Sequence, residues 1–147
     1  MKALTLIQPW GGLIATGVKL VENRTWPPPE SLIGQQFAIH AGARIERETI
    51  EDLLEDDEPE HALWRVRSAV IGVVTLVGWV REGATNSAYS PDRIDSYQLR
   101  WWNGPIGFLL RDAFALPRPV PCKGMLGFWT LPEPIAVEVM DQVVNRG

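Results

Sequence analysis

The chain has 147 residues and a single cysteine, Cys122, so an internal disulfide framework is impossible. Its two histidines, His40 and His61, lie far apart, and no Cys/His set has zinc-ligand spacing, so neither a metal nor a cofactor is expected. No cationic segment leads into an apolar stretch at the N-terminus as a secretory signal requires; together with the lone cysteine this makes a reducing cytoplasm the expected compartment. Long apolar runs are missing too. The longest, Ala69 to Val80, is 12 mostly apolar residues, too short to span a membrane as a helix and suited to a buried strand. Internal repeats, low-complexity tracts and long interior linkers are absent, so residues 1–147 are read as one domain whose oligomeric state the sequence leaves open.

Excess positive charge is lacking as well: the formal net charge of −4 excludes a surface that is a polyanion binder all round. The average hides a division. Nine of the 18 acidic residues fall between Glu46 and Glu60, where Arg47 is the only basic residue. Outside that stretch 13 basic and 9 acidic residues remain, a formal +4. Whether a phosphate-bearing ligand is tolerated depends on where the acidic segment sits.

What is present reads mainly as strands. Ala3 to Ile7 has a strand's β-branched alternation, and Gln8-Pro9-Trp10 stops it. Pro9 suits the first turn of a helix, and Trp10 to Thr16 forms a short one, closed by Gly17 in a left-handed conformation. Strands are predicted at Leu20 to Trp26, Gln36 to Ala41, Ser68 to Arg81, Gln98 to Trp102, Ile106 to Arg111 and Leu126 to Leu131. The alternating prolines of Leu116 to Cys122 predict an extended connection outside any ladder. Over residues 44–66 the period becomes helical, with Ile45, Thr49, Ile50, Leu53 and Leu54 on one side and Glu48, Glu51, Asp52 and Glu55 toward water. A C-terminal helix over 132–147 places Ala136, Val139, Met140 and Val143 on one face. These elements make a mainly β, α+β chain: a small barrel of five or six strands with short helices inserted.

The segment Gly17-Val18-Lys19-Leu20-Val21-Glu22-Asn23-Arg24-Thr25-Trp26 stands out. A strand from Leu20 puts Leu20, Glu22, Arg24 and Trp26 on one face, where Glu22 and Arg24 can pair. An ordinary surface ion pair, worth at most ~1 kcal/mol, satisfies the same spacing. Lys19 and Arg24 offer donors to phosphate, Arg24 as a planar fork and Lys19 as a point charge. Trp10, Trp26, Trp101 and Trp102 offer stacking faces; Trp10 and Trp26 flank the motif and are the preferred ligand contacts, although a tryptophan of a small barrel can equally be core. Gln8 can read a base edge through its amide or cap the helix at Trp10.

Strand, Gln-Pro-Trp, short helix, Gly-x-Lys-x-x-Glu-x-Arg and a strand ending Ile39-His40-Ala41 together resemble the ASCH (activating signal cointegrator homology) domain, a PUA-like barrel family. The likeness continues through Val70 to Val74, Gly104 to Phe108 and Pro119 to Gly124. The resemblance implies a cleft between barrel and first helix, lined here by Lys19, Glu22 and Arg24, and binding of RNA or a modified nucleoside or nucleotide. It also implies two enzymatic alternatives: a metal-independent ribonuclease, or an amidohydrolase of a modified pyrimidine nucleoside such as N4-acetylcytidine. In the ribonuclease, Lys19 and Arg24 would stabilise the pentacoordinate phosphate while Glu22 or His40, its pKa raised by Glu22, takes the 2′-hydroxyl proton. His40 fits a structural role on a backbone carbonyl equally well. The amidohydrolases carry a threonine nucleophile where this chain has Glu22, and a carboxylate attacking an amide would yield an unfavourable anhydride. Arg44, Arg65 and Arg67 are further candidate phosphate contacts, Cys122 a remote nucleophile candidate, and the acidic insert alone could instead recruit a basic protein.

Overall fold

The computed structural model describes residues 1–146. Strand β1 (Lys2–Gln8) buries Ala3, Leu4, Leu6 and Gln8 and leads into helix α1 (Trp10–Ala15). Pro9 immediately precedes the helix, and its carbonyl accepts from Leu13 N at 2.9 Å. Gly17 adopts φ +80°, the left-handed turn that ends the helix. Strand β2 (Val21–Arg24) follows, then β3 (Gln36–Ile45), the acidic helix α2 (Arg47–Glu55), β4 (Ala69–Arg81), β5 (Ile106–Pro121), β6 (Phe128–Thr130) and helix α3 (Glu133–Val144). Short 3-10 turns occupy Glu30–Leu32, Ala62–Arg65, Pro91–Arg93 and Ser96–Trp101.

The six strands form one sheet in the order β2-β5-β4-β3-β1-β6, with only β1 and β3 parallel. No ladder joins β2 to β6. β6 pairs with β1 only over Lys2 to Leu4, so the remainder of that edge of β1 faces β2 across an open seam. Side chains bridge the seam instead of backbone. Trp26, just beyond β2, packs edge-on against Phe108 of β5 (5.5 Å) and Phe128 of β6 (6.0 Å), and those two phenylalanines stack at 6.0 Å. Inside the curled sheet Leu4, Leu6, Phe37, Ile39, Ile71, Val74 and Phe108 make the main core. Helix α1 closes one end on it at a contact that tolerates no side chain: a Cβ on Gly72 would lie 2.7 Å from Ala15 Cβ and 2.9 Å from the Phe114 carbonyl oxygen. On the outer face α3 packs Val139 and Val143 against Val70, Val73, Leu116 and Val120. A third cluster, with Leu13, Val21, Ile50, Leu53, Trp64 and Trp101, ties α1 and α2 to the wall of the seam. Among the described residues no helix is long and apolar enough to cross a membrane.

Several boundaries differ from the sequence reading. β3 runs past Gly42 to Ile45, because Ile45 pairs with Gln8 of β1, so the insert becomes helical only from Arg47. Within residues 44–66 the stretch after Pro59 forms only a single 3-10 turn, Ala62–Arg65, and Leu54, expected on the buried side, is 40% exposed. The strand predicted at Gln98 to Trp102 is a 3-10 turn started by Asp95, whose Oδ1 accepts from Tyr97 N at 2.9 Å. The proline-spaced segment, in contrast, belongs to β5: Val120 and Pro121 register with Val70 and Ala69 of β4. Residues two apart turn their N–H groups to the same edge, so prolines at 117, 119 and 121 deplete one edge only. β2 reaches no further along β5 than Leu109, leaving that later edge without a strand partner. The C-terminal helix bears the expected face; residue 147 of its predicted span lies outside the described residues.

Candidate functional site

The seam opens into a cleft of about 720 Å³, bounded by Thr5 to Ile7 of β1 on one side and residues 22–26 on the other. Its buried end is built from the motif. The pairing of β2 with β5, Glu22 opposite Phe108 and Arg24 opposite Ile106, turns both motif side chains to the same face. Glu22 Oε1 accepts from Lys19 Nζ at 3.0 Å and Oε2 from Arg24 Nε at 2.9 Å. The Lys19 and Glu22 side chains are only 4% and 8% exposed, unlike an ordinary surface ion pair. Lys19 Nζ also donates to the Val21 carbonyl at 2.6 Å, so its charge is bonded as well as paired. Arg24 is the more open cation, and its Nη2 reaches across the seam to the Thr5 carbonyl at 3.3 Å.

Aromatic walls flank this triad. Trp10 lies 5.7 Å from Lys19 Nζ and meets Trp101 edge-on at 6.3 Å, while the Arg24 guanidinium sits 5.6 Å over Trp26. Trp101 and Trp102 come from the turn after Ser96, which Asn23 anchors: its Nδ2 donates to the Trp101 carbonyl (2.9 Å) and its Oδ1 accepts from Asn103 N (2.8 Å). Arg100, from the same turn, stacks 4.3 Å from the Trp101 ring and pairs with Glu58 at 3.1 Å. The acidic segment thus reaches the mouth twice, through Glu58 on Arg100 and directly through Glu46, which lines the cleft. Glu46 Oε1 accepts from Trp10 Nε1 (2.7 Å) and Thr49 Oγ1 (3.3 Å).

Lys19, Glu22, Arg24, Trp10 and Trp26 therefore line one cleft; Gln8 and His40 do not. Gln8 is fully buried: its Oε1 accepts from Gly12 N at 2.9 Å and its Nε2 donates to the Leu63 and Val66 carbonyls. It caps α1 and binds the chain after α2 to the barrel, so its amide is not free to read a base. His40, on β3 opposite Thr5, is 1% exposed: its Nε2 donates to the Cys122 carbonyl at 2.6 Å. Its Nδ1 then accepts from Thr5 Oγ1 at 3.1 Å, a hydroxyl that itself accepts from Trp129 Nε1 at 3.0 Å. Burial pushes the His40 pKa below its ordinary value, against a smaller opposing effect of the Cys122 carbonyl. The direction is opposite to the upward shift expected from Glu22, whose oxygens bond Lys19 and Arg24 while burial dominates at His40. Burial also raises the Cys122 thiol pKa, the wrong direction for a nucleophile. Arg44, Arg65 and Arg67 do not line the cleft, and Arg65 pairs with Glu60 instead. Among the described residues no group of three or more His, Cys, Asp or Glu side chains is placed to hold a metal ion.

Sequence reasoning did not single out Glu46, Arg100, Asn23 or Asn103. For Arg100 and Asn103 the only signal was adjacency to Trp101-Trp102; Glu46 gave none, since it sits where a strand longer than predicted meets a helix that starts later.

No protein-family model matches this chain, and no curated protein matches its sequence. Solved structures do. The crystal structure of ASCH from Zymomonas mobilis superposes with a TM-score of 0.57 at 18% identity, covering 95% of this chain and 93% of that one. Two structures of point mutants of the Zymomonas mobilis protein give TM-scores of 0.54 and 0.55 at 19% and 16% identity, each over 95% of this chain and 94% and 96% of theirs. With these superpositions and its mixed six-stranded sheet, the chain has the ASCH fold over nearly its whole length.

Proposed function

We propose that the seam cleft binds a nucleotide, free or as an unpaired residue of RNA, through Lys19, Arg24 and Arg100 and the tryptophans around them. The observation that carries this is the convergence of three cations and four tryptophans on one cleft whose volume, about 720 Å³, suits a nucleotide-sized ligand. Arginine forks bind phosphate oxygens in pairs, and indole rings stack on any base. The acids at the mouth oppose a long duplex, which would bring many phosphates past Glu46 and Glu58 at once. The geometry supports binding more than hydrolysis: both Glu22 oxygens are occupied, and His40 is a neutral structural group outside the cleft lining.

Titration of fluorescent nucleoside monophosphates and short single-stranded RNA at rising salt tests the reading. Binding should weaken with salt, and Arg100→Ala, a side chain 54% exposed, should weaken it roughly tenfold without changing the fold. Absence of binding to the unmodified protein, or affinity unchanged from it in both Arg100→Ala and Arg24→Ala, would sink it.

A further inference from the structure

Three cations line the cleft, and each already has an acid: Lys19 and Arg24 share Glu22, and Arg100 holds Glu58. Glu46 is the exception. It lines the same cleft, yet among the described residues it makes no ion pair, and only its Oε1 is hydrogen bonded. The residue is held from both sides, since its N–H donates to the Gln8 carbonyl at 2.8 Å and its own carbonyl accepts from Ile50 N at 3.3 Å. A fixed carboxylate with one uncommitted oxygen in a site built for phosphate is not neutral scenery. With Glu58 counted, three positive and three negative charges meet here, so no cation is in surplus: one phosphate has to share the paired cations, and each further phosphate adds negative charge near the unpaired Glu46 with no new cation to meet it.

Resting on the nucleotide reading above, we infer that Glu46 is a specificity-determining residue, an electrostatic filter that restricts the cleft to nucleosides and nucleoside monophosphates and turns away polyphosphates. Glu46→Gln is the matched perturbation: the amide oxygen still accepts from Trp10 Nε1 and Thr49 Oγ1, so the wall stays in place while the charge is removed.

The experiment is calorimetric titration of the full chain with the adenine and cytosine series from nucleoside to triphosphate, at low and high salt. In the unmodified protein the monophosphate should bind roughly tenfold tighter than the triphosphate at low salt. Glu46→Gln should abolish or invert that ratio, and high salt should shrink it. Glu48→Gln, the same charge change on an exposed residue of α2, should leave it unchanged. An equal ratio in Glu46→Gln and the unmodified protein, or an equal shift in Glu48→Gln, overturns the filter. So does tightest binding of triphosphate to the unmodified protein, which leaves the nucleotide reading standing; binding of no member of either series overturns both.

Discussion

Removing the carboxylate of Glu22 is the perturbation most directly priced by the structure. In Glu22→Ala, Lys19 Nζ loses its counter-ion while its side chain, 4% exposed, keeps only the Val21 carbonyl. Arg24, at 22% exposure and bonded to Thr5, can recover hydration, so the penalty falls mainly on the lysine. Breaking a buried pair from one side costs ~3–5 kcal/mol, far above the 0–1 kcal/mol of an exposed pair. For a chain of this length that corresponds to a fall in Tm of roughly 6–20 °C. Urea unfolding followed by tryptophan fluorescence, with a thermal melt alongside, measures it. The double variant Lys19→Met/Glu22→Ala should recover a large part of the loss, giving a coupling energy of ~2 kcal/mol or more. A cost below about 1 kcal/mol for Glu22→Ala, with no coupling to Lys19, would refute the argument and mean that the triad is hydrated in solution.

Two further outcomes follow from the chain of bonds through His40. Because its folded pKa lies below the ordinary 6.5, the unfolded chain binds the proton more readily; the contribution to stability is whole above about pH 6.5 and is lost as pH falls toward the folded value. The unfolding free energy should therefore drop more between pH 7.5 and pH 5 (about those values) than in His40→Gln, and parallel profiles would refute this. Gly124 packs on the same ring: a Cβ there would lie 2.6 Å from His40 Cε1 and 2.8 Å from Thr5 Oγ1. Gly124→Ala should cost ~1–3 kcal/mol in the same urea assay, and an unchanged midpoint would show that the loop yields freely.

The parts of this molecule governed by local rules were legible in the sequence. Alternation marked β1, a proline-free apolar run marked β4, Gly17 marked the end of α1, and the period of two along residues 20–26 brought Glu22 and Arg24 to one face before any coordinates. What failed depended on partners distant in sequence. The prolines of β5 are tolerated because one edge of that strand lacks a neighbour, and β3 outlasts Gly42 because Gln8 is there to pair with Ile45. The segment Gln98 to Trp102 read as a strand, yet Asp95 caps it as a turn, and Leu99 within it and Tyr97 before it remain exposed. In the cleft, sequence identified the triad and the tryptophans but assigned His40 by its proximity to them along the fold. Its ring nitrogens instead serve Thr5 and the Cys122 carbonyl.

The seam between β1 and β2 bears on solubility as much as on ligands. A sheet that stops short of closure keeps strand edges with unpaired backbone groups, and such edges are templates for a strand of another chain. Here charged side chains stand along the opening, with Lys19, Glu22 and Arg24 turned inward and Glu46 and Arg100 at the rim. An incoming strand would have to strip water from these groups or break their pairs before its first ladder bond formed. The residues that give the cleft its chemistry are thereby also a guard against self-association, which ties the freedom to alter the site to the need to keep the edge unattractive.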